Sequence, residues 1–263
     1  MKKGRYVNVL RNMLSKCISI LQADHRVEGA YVVGSMADET ADEYSDIDLY
    51  VVVKEEYYAE VYEERFNFAQ RVGSVLSTFE VDWPNCQMLG VIYRNYVEID
   101  ICYTKLGQAE VFNDRYKVVL DESGQVRKAL FVKDYPRDSQ IELKSQTEFA
   151  LYNLLHAINM LHRGEYWSSI KQIETLRKRV VSLAELLLNK EIGEEYRKLE
   201  SVFPPKTERE LRRSLCLYGK SDIKKSIVTL TRLFCEIGEE LAVKLGVKFP
   251  SKKFTHMLKH LEE

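Results

Sequence analysis

The sequence predicts an α+β fold, with a mixed β-sheet and flanking helices over residues 1–136 and an antiparallel helical bundle over residues 137–263. Two β-branched runs, Val27–Val33 and Ile47–Val53, supply the central strands of the first half. Past the polar stretch Asp134-Tyr135-Pro136-Arg137-Asp138 the hydrophobic period changes permanently to the helical one. The short connections between the helices that follow favour antiparallel neighbours.

Over residues 3–24, Val7, Leu10, Leu14, Ile18 and Leu21 recur every three or four positions, the spacing of an amphipathic helix. Val27–Val33 stops at Gly34 and reads as a strand. Residues 36–45 are polar and acidic without a period, hence a loop. Ile47–Val53 is apolar almost throughout, as suits a central strand covered on both faces. Residues 55–79 carry Tyr58, Val61, Tyr62, Phe66, Ala69, Val72 and Leu76 at helical spacing and are expected as one helix. Residues 88–93 and 96–103, joined by Arg94-Asn95, read as a hairpin on a two-residue turn. Tyr116–Leu120 and residues 129–132 are expected as short strands on either side of Gly124.

Four helical stretches follow. Residues 141–162 place Phe149, Leu151, Leu154, Leu155, Ile158 and Leu161 along the helix and stop at Gly164. Residues 167–189 gather Ile170, Ile173, Leu176, Val180, Leu183, Ala184 and Leu187 on one side. A shorter piece, 191–215, is broken at Pro204-Pro205. The last, capped by Ser221, repeats Ile223, Ile227, Leu230, Phe234, Ile237 and Leu241 before Gly246 and Pro250.

At 45% hydrophobic and 30% charged residues, the 263-residue chain has the composition of a folded protein with a sizeable core. A net charge of -1 lacks the basic excess needed to hold a long nucleic acid, although a small anion needs only a few local cations. No apolar run reaches the roughly 18 residues of a membrane span, and the N-terminus lacks a signal-peptide core, so a cytoplasmic protein is expected. The five cysteines, widely spaced and without a CxxC pair, suit buried thiols in a reducing compartment.

The densest chemistry lies at residues 38–48, where Asp38, Glu39, Asp42, Glu43, Asp46 and Asp48 crowd six carboxylates into eleven positions. Such a cluster repels itself, and a bound cation would make it tolerable. Alternation along a strand sends Asp46 and Asp48 to the same face, where they can share one cation. In Val97-Glu98-Ile99-Asp100-Ile101, Glu98 and Asp100 share a face opposite the isoleucines, and a carboxylate in so apolar a strand is costly without a partner or metal. Taken singly, Gly34-Ser35 is strand punctuation and Asp46 with Asp48 a solvated strand start; the order and spacing give them weight.

Gly34-Ser35, ten intervening residues, Asp46-Ile47-Asp48 and the later Ile99-Asp100-Ile101 resemble the nucleotidyltransferase fold of the DNA polymerase beta superfamily. Arg163-Gly164-Glu165, followed by a long helix containing Leu176-Arg177, resembles the aminoglycoside and lincosamide nucleotidyltransferases. The resemblance implies a nucleotidyltransferase domain over 1–136 and a helical substrate-binding domain over 137–263. It implies that Asp46, Asp48 and Asp100 are catalytic and hold Mg²⁺, with Asp100 alternatively taking the acceptor's proton, while Gly34 and Ser35 bind the β or γ phosphate. The activity implied is transfer of a nucleoside monophosphate, AMP from ATP, to a hydroxyl of a small molecule such as an aminoglycoside or lincosamide, with pyrophosphate leaving. The partners implied are that acceptor and a nucleoside triphosphate, without a long nucleic acid or a membrane; a homodimer is left open. The alternatives are adenylylation of a protein such as a toxin, and a non-catalytic nucleotide-binding regulator.

Weaker candidates have ordinary readings beside the functional ones. Glu148 could serve as the base or be an exposed helix glutamate, and Lys171 and Arg177 could reach the triphosphate or be surface cations. His256 and His260 could ligate a metal or simply favour a helix C-terminus.

Overall fold

The computed structural model describes residues 3–83, 86–111, 115–132, 138–189, 196 and 199–262. In chain order the first half carries α1 (Lys3–Gln22), β1 (Val27–Val33), β2 (Ile47–Val53), α2 (Tyr58–Glu63), α3 (Arg65–Val72) and β3 (Val75–Trp83). It continues with β4 (Cys86–Tyr93), β5 (Glu98–Lys105), β6 (Glu110–Val111), β7 (Tyr116–Leu120), α4 (Gln125–Ala129) and β8 (Phe131–Val132). The second half is helical: α5 (Ser139–His162), α6 (Tyr166–Leu188), α7 (Leu199–Val202), α8 (Pro205–Arg213), α9 (Lys220–Leu245) and α10 (Ser251–His260). The chain divides into two units, Met1–Tyr135 and Pro136–Glu263, and the expected boundary at 136/137 falls among residues 133–137, outside the described ones.

In the first unit a six-stranded mixed sheet has the order β3-β4-β5-β2-β1-β7. β2 and β5 run parallel at its centre and every other pairing is antiparallel. Because side chains alternate, each strand serves two layers. Ile47, Leu49 and Val51 of β2 and Ile99 and Ile101 of β5 are fully buried on one face, packed with Leu10 of α1, Val61 of α2 and Val72 of α3. Burial of each such side chain contributes about 2 kcal/mol. On the other face Tyr31 stacks on Tyr50 with centroids 4.7 Å apart, and Val52, Val111 and Val126 complete a smaller core. The two-stranded β6-β8 pair and α4 lie toward this second face.

The expected single helix over 55–79 is instead two short helices and an edge strand. Glu64 interrupts the first turn sequence at φ −81°, ψ 2°, and Gly73 ends α3 in a fully extended conformation. The register shifts between Val75, which packs toward α1, and Ser77; Phe79, Val81 and Trp83 then alternate with Thr78, Glu80 and Asp82 along β3, a period of two that the helical spacing of Val72 and Leu76 masks. The β4–β5 connection is also longer than two residues: Tyr93 N–H donates to Val97 O at 2.9 Å, and Tyr96 takes the left-handed conformation at φ 64°. Residues 125–129 form a helix, so the strand expected over 129–132 shrinks to Phe131–Val132.

In the helical region, α5, α6 and α9 pack around Leu154, Ile158, Ile173, Leu176, Leu230 and Phe234. The Asp138 carboxylate caps α5 by accepting from Gln140 N–H and Ile141 N–H at 2.9 and 3.2 Å. Asn189 and Gly246 close α6 and α9 in left-handed conformations. α9 starts at Lys220 behind Gly219, so Ser221 lies inside the helix and caps nothing, and α10 is an additional helix beyond Pro250. Of the shorter piece expected over 191–215, residues 191–195 and 197–198 lie outside the described ones. Among the described residues no helix is long and apolar enough to cross a membrane.

Candidate active site

The sheet register brings the separated motifs into one row. Val33, the residue before Gly34, is the partner of Asp48 across β1 and β2, and Asp48 is the partner of Asp100 across the parallel β2 and β5. Partners in neighbouring strands point to the same face, so both carboxylates leave the sheet opposite the buried Ile47, Leu49, Ile99 and Ile101. Asp46 immediately precedes β2 and shares the parity of Asp48. Across β5 and β4, Asp100 is the partner of Gly90, which is in turn the partner of Phe79 on β3.

Gly34 opens a single 3₁₀ turn, Gly34–Met36, at φ 65°, a left-handed conformation that suits glycine. Its carbonyl accepts from Ala37 and Asp38 N–H at 3.0 and 3.2 Å, holding the turn closed. A Cβ at this position would stand 3.4 Å from Asp48 Oδ2, so the glycine lets the turn lie against that carboxylate. Ser35 lines a cavity of about 450 Å³ together with Val7, Arg11, Leu14, Val32 and Lys117.

Asp100 is the electrostatic centre of the row. Its Oδ1 is buried and has no hydrogen-bond partner among the described residues. Burial, reinforced by the charges of Glu98 and Asp46, pushes its carboxyl up to about 6. The same two acids, after burial itself, raise Tyr6 on α1, whose hydroxyl donates to Tyr96 O at 3.0 Å.

Much of the acidic loop is neutralised from within the chain. Asp38 accepts from Arg115 Nε at 2.6 Å and Glu39 from Lys117 Nζ at 3.2 Å. Hydrogen bonds from Thr40, then Arg115, hold Asp38 down at about 2. Asp42 accepts from Tyr44 N–H at 2.9 Å and from Ser45 Oγ at 3.1 Å. The cluster therefore does not need a cation over its whole length, as charge counting alone suggests; the demand concentrates at the strands.

Hard carboxylate oxygens are the donors that Mg²⁺ prefers, and a buried carboxylate oxygen without a partner is a place where a cation or proton belongs. Of the three expected ligands, Asp100 meets the second condition through its Oδ1, and Asp46 and Asp48 meet the first by being carboxylates. Among the described residues, no three His, Cys, Asp or Glu side chains are drawn together as a ready-made metal group.

The weaker candidates lie elsewhere. Arg177 is buried, at 6% exposure, and donates to Glu174, Leu211 O, Ser214 O and Ser214 Oγ, so it ties α6 to the end of α8. Lys171 and Glu148 are exposed on their helices. His260 Nε2 lies 3.2 Å from Asn159 Oδ1, and His256 is exposed one turn earlier on α10.

No curated protein matches the chain. Among solved structures it is similar to an aminoglycoside 6-adenyltransferase from Bacillus subtilis, at 14% identity over 96% of each chain with a TM-score of 0.45. It is also similar to a STING-associated CdnE c-di-GMP synthase from Capnocytophaga granulosa, at 14% identity over 98% of this chain and 82% of that one, TM-score 0.30. A third likeness is to a chain of a GLD-2/RNP-8 complex, at 11% identity over 87% and 67%, TM-score 0.29. The sequence model of the streptomycin adenylyltransferase family matches residues 8–263, and the chain belongs to that family and is a polymerase beta-type nucleotidyltransferase.

Proposed function

We propose that the protein transfers AMP from ATP to a hydroxyl of an aminoglycoside-like small molecule, with Mg²⁺ bound and pyrophosphate leaving. The observation that carries this reading is the register that pairs Asp48 with Asp100 beside the left-handed turn at Gly34. Gly34 lets the turn's backbone approach the triphosphate, and the Ser35 hydroxyl bonds its β or γ phosphate. Asp46 and Asp48 hold Mg²⁺, and Asp100 either completes that set or takes the acceptor's proton. When bound, the divalent ion supplies charge neutralisation for the triphosphate and the leaving pyrophosphate. Residues 1–136 are read as the transferase domain and 137–263 as the acceptor-binding one.

The test is incubation of the purified chain with labelled ATP, Mg²⁺ and a panel of aminoglycosides and lincosamides, with Asp48→Asn as control. Pyrophosphate release that requires an antibiotic and disappears in the variant is the expected result. Label on a protein or RNA instead, or ATP binding without release under any acceptor, overturns the proposal.

A further inference from the structure

The row that joins Asp48 to Asp100 runs on to the edge of the sheet. Asp100 faces Gly90, and Gly90 faces Phe79 on the edge strand β3. Phe79 therefore belongs to the face that carries both carboxylates, two strand spacings or about 10 Å from Asp100. Gly90 leaves room for the ring to cover part of that gap. A Cβ built on Gly90 would collide with Cζ and Cε1 of Phe79, so the ring lies over the glycine. It is nevertheless 42% exposed, and its upper side is open to a ligand. Glu98, two residues before Asp100, adds a second carboxylate on the same face.

An aromatic ring laid over a cross-strand glycine also has a purely structural use, because it covers backbone that glycine leaves bare. That accounts for the ring's posture. The position at the far end of the row adds something else, which rests on the transferase reading above. Transfer at phosphorus sets the attacking and leaving oxygens in line. With the triphosphate tail at Gly34-Ser35, at the end of β1, pyrophosphate departs toward the β1 side of the carboxylates. The attacking hydroxyl then approaches from the opposite side, over β4 and β3, where the Phe79 ring, level with Asp100, is exposed.

We propose that Phe79 is a specificity-determining residue on which one ring of the acceptor stacks, the acceptor being an amino- or guanidino-substituted cyclitol or sugar. The C–H face of such a ring packs on the aromatic face, and its cationic groups are attracted both to the aromatic quadrupole and to Glu98 and Asp100. A flat neutral acceptor would gain only the first of these contacts.

Calorimetric titration of the full chain with streptomycin as the probe tests this, using wild type, Phe79→Ala and Phe79→Tyr, with ATP titrated in parallel. Phe79→Ala is expected to weaken streptomycin binding about tenfold, Phe79→Tyr to stay within about threefold of wild type, and ATP affinity to hold in both, while the thermal midpoint holds in Phe79→Tyr and falls in Phe79→Ala as Gly90 is uncovered. In turnover, the KM for streptomycin rises while kcat and the KM for ATP hold. Should Phe79→Ala fail to fold, Phe79→Leu keeps apolar volume without an aromatic face and is expected to show the same selective loss. Unchanged streptomycin affinity in these variants, equal losses for streptomycin and ATP, or no streptomycin binding by the wild type overturns the inference. Phe79-dependent binding without pyrophosphate release leaves the inference standing and removes the transferase reading; release that ignores Phe79 does the reverse.

Discussion

Replacing Asp100 by asparagine in the metal-free protein should stabilise it, and the gain should depend on pH in a defined direction. Burial, then the charges of Glu98 and Asp46, raise the carboxyl from 3.8 to about 6. A raised acid binds its proton more tightly in the folded state, so stability is greatest below the unfolded value and is lost as pH climbs from about 3.8 through 6. The full shift corresponds to about 3 kcal/mol, and partial exposure of the carboxylate to solvent screening reduces it to about 1–2 kcal/mol. Asparagine cannot ionise, keeps the shape and escapes this loss. Urea denaturation with a chelator present should therefore show the two proteins nearly equal at pH 4, Asp100→Asn ahead by about 1–2 kcal/mol at pH 8, and the gap opening between those values. Added Mg²⁺ should raise the wild type and leave the variant nearly unmoved. A variant less stable than wild type at pH 8, or a gap that widens toward low pH, would refute the assignment of Asp100 as an acid destabilised by burial and by its acidic neighbours.

Asp48→Asn should lower kcat for transfer by about a thousandfold or more while the circular dichroism spectrum is unchanged, as read by pyrophosphate release. Gly34→Ala should cost about 1–2 kcal/mol in urea, because alanine is strained at φ 65°, and should raise the KM for ATP by pressing its Cβ toward Asp48. Arg177→Ala should destabilise the chain by about 2–4 kcal/mol, since it strips donors from Leu211 O and Ser214 O, while the affinity of the remaining folded protein for ATP stays at the wild-type value in calorimetry.

What the sequence revealed of the site was what period two could carry. Asp100 stands out between Ile99 and Ile101 because alternation separates it from a buried face, and the same rule places Asp46 with Asp48. Strand β3 was hidden because Val72 and Leu76 extend a helical spacing past Gly73, and only the extended glycine breaks it. With β3 read as helix, neither the cross-strand partner of Gly90 nor the exposure of Phe79 could be derived. The turn at Tyr96 misled for a related reason: a tyrosine in the left-handed region has no local signature. Arg115 and Lys117 lie 77 and 78 residues from the acids they neutralise, a pairing set by β7 joining the edge of β1 and invisible to any local pattern. Buried Arg177 reads on paper like any helical surface cation, because its helix face is decided by packing against α8.

These corrections move the electrostatic argument from the loop to the strands. Crowded acids in sequence suggest a cation because their repulsion has no visible relief, yet β7 supplies relief to Asp38 and Glu39 through the two cations it brings alongside. The buried carboxylate oxygen left without a partner among the described residues is on β5, at Asp100. Its cost rises with every neighbouring negative charge, and Glu98 and Asp46 both add to it. A divalent ion or a cationic acceptor relieves that cost at one point, whereas the same charges on the loop would draw a ligand to a surface already paired. On the proposed reading, attraction for a positively charged acceptor belongs to the face shared by Asp100, Glu98 and Phe79, and its strength should follow substitutions on β5 and β3 more closely than substitutions at Asp38 or Glu39.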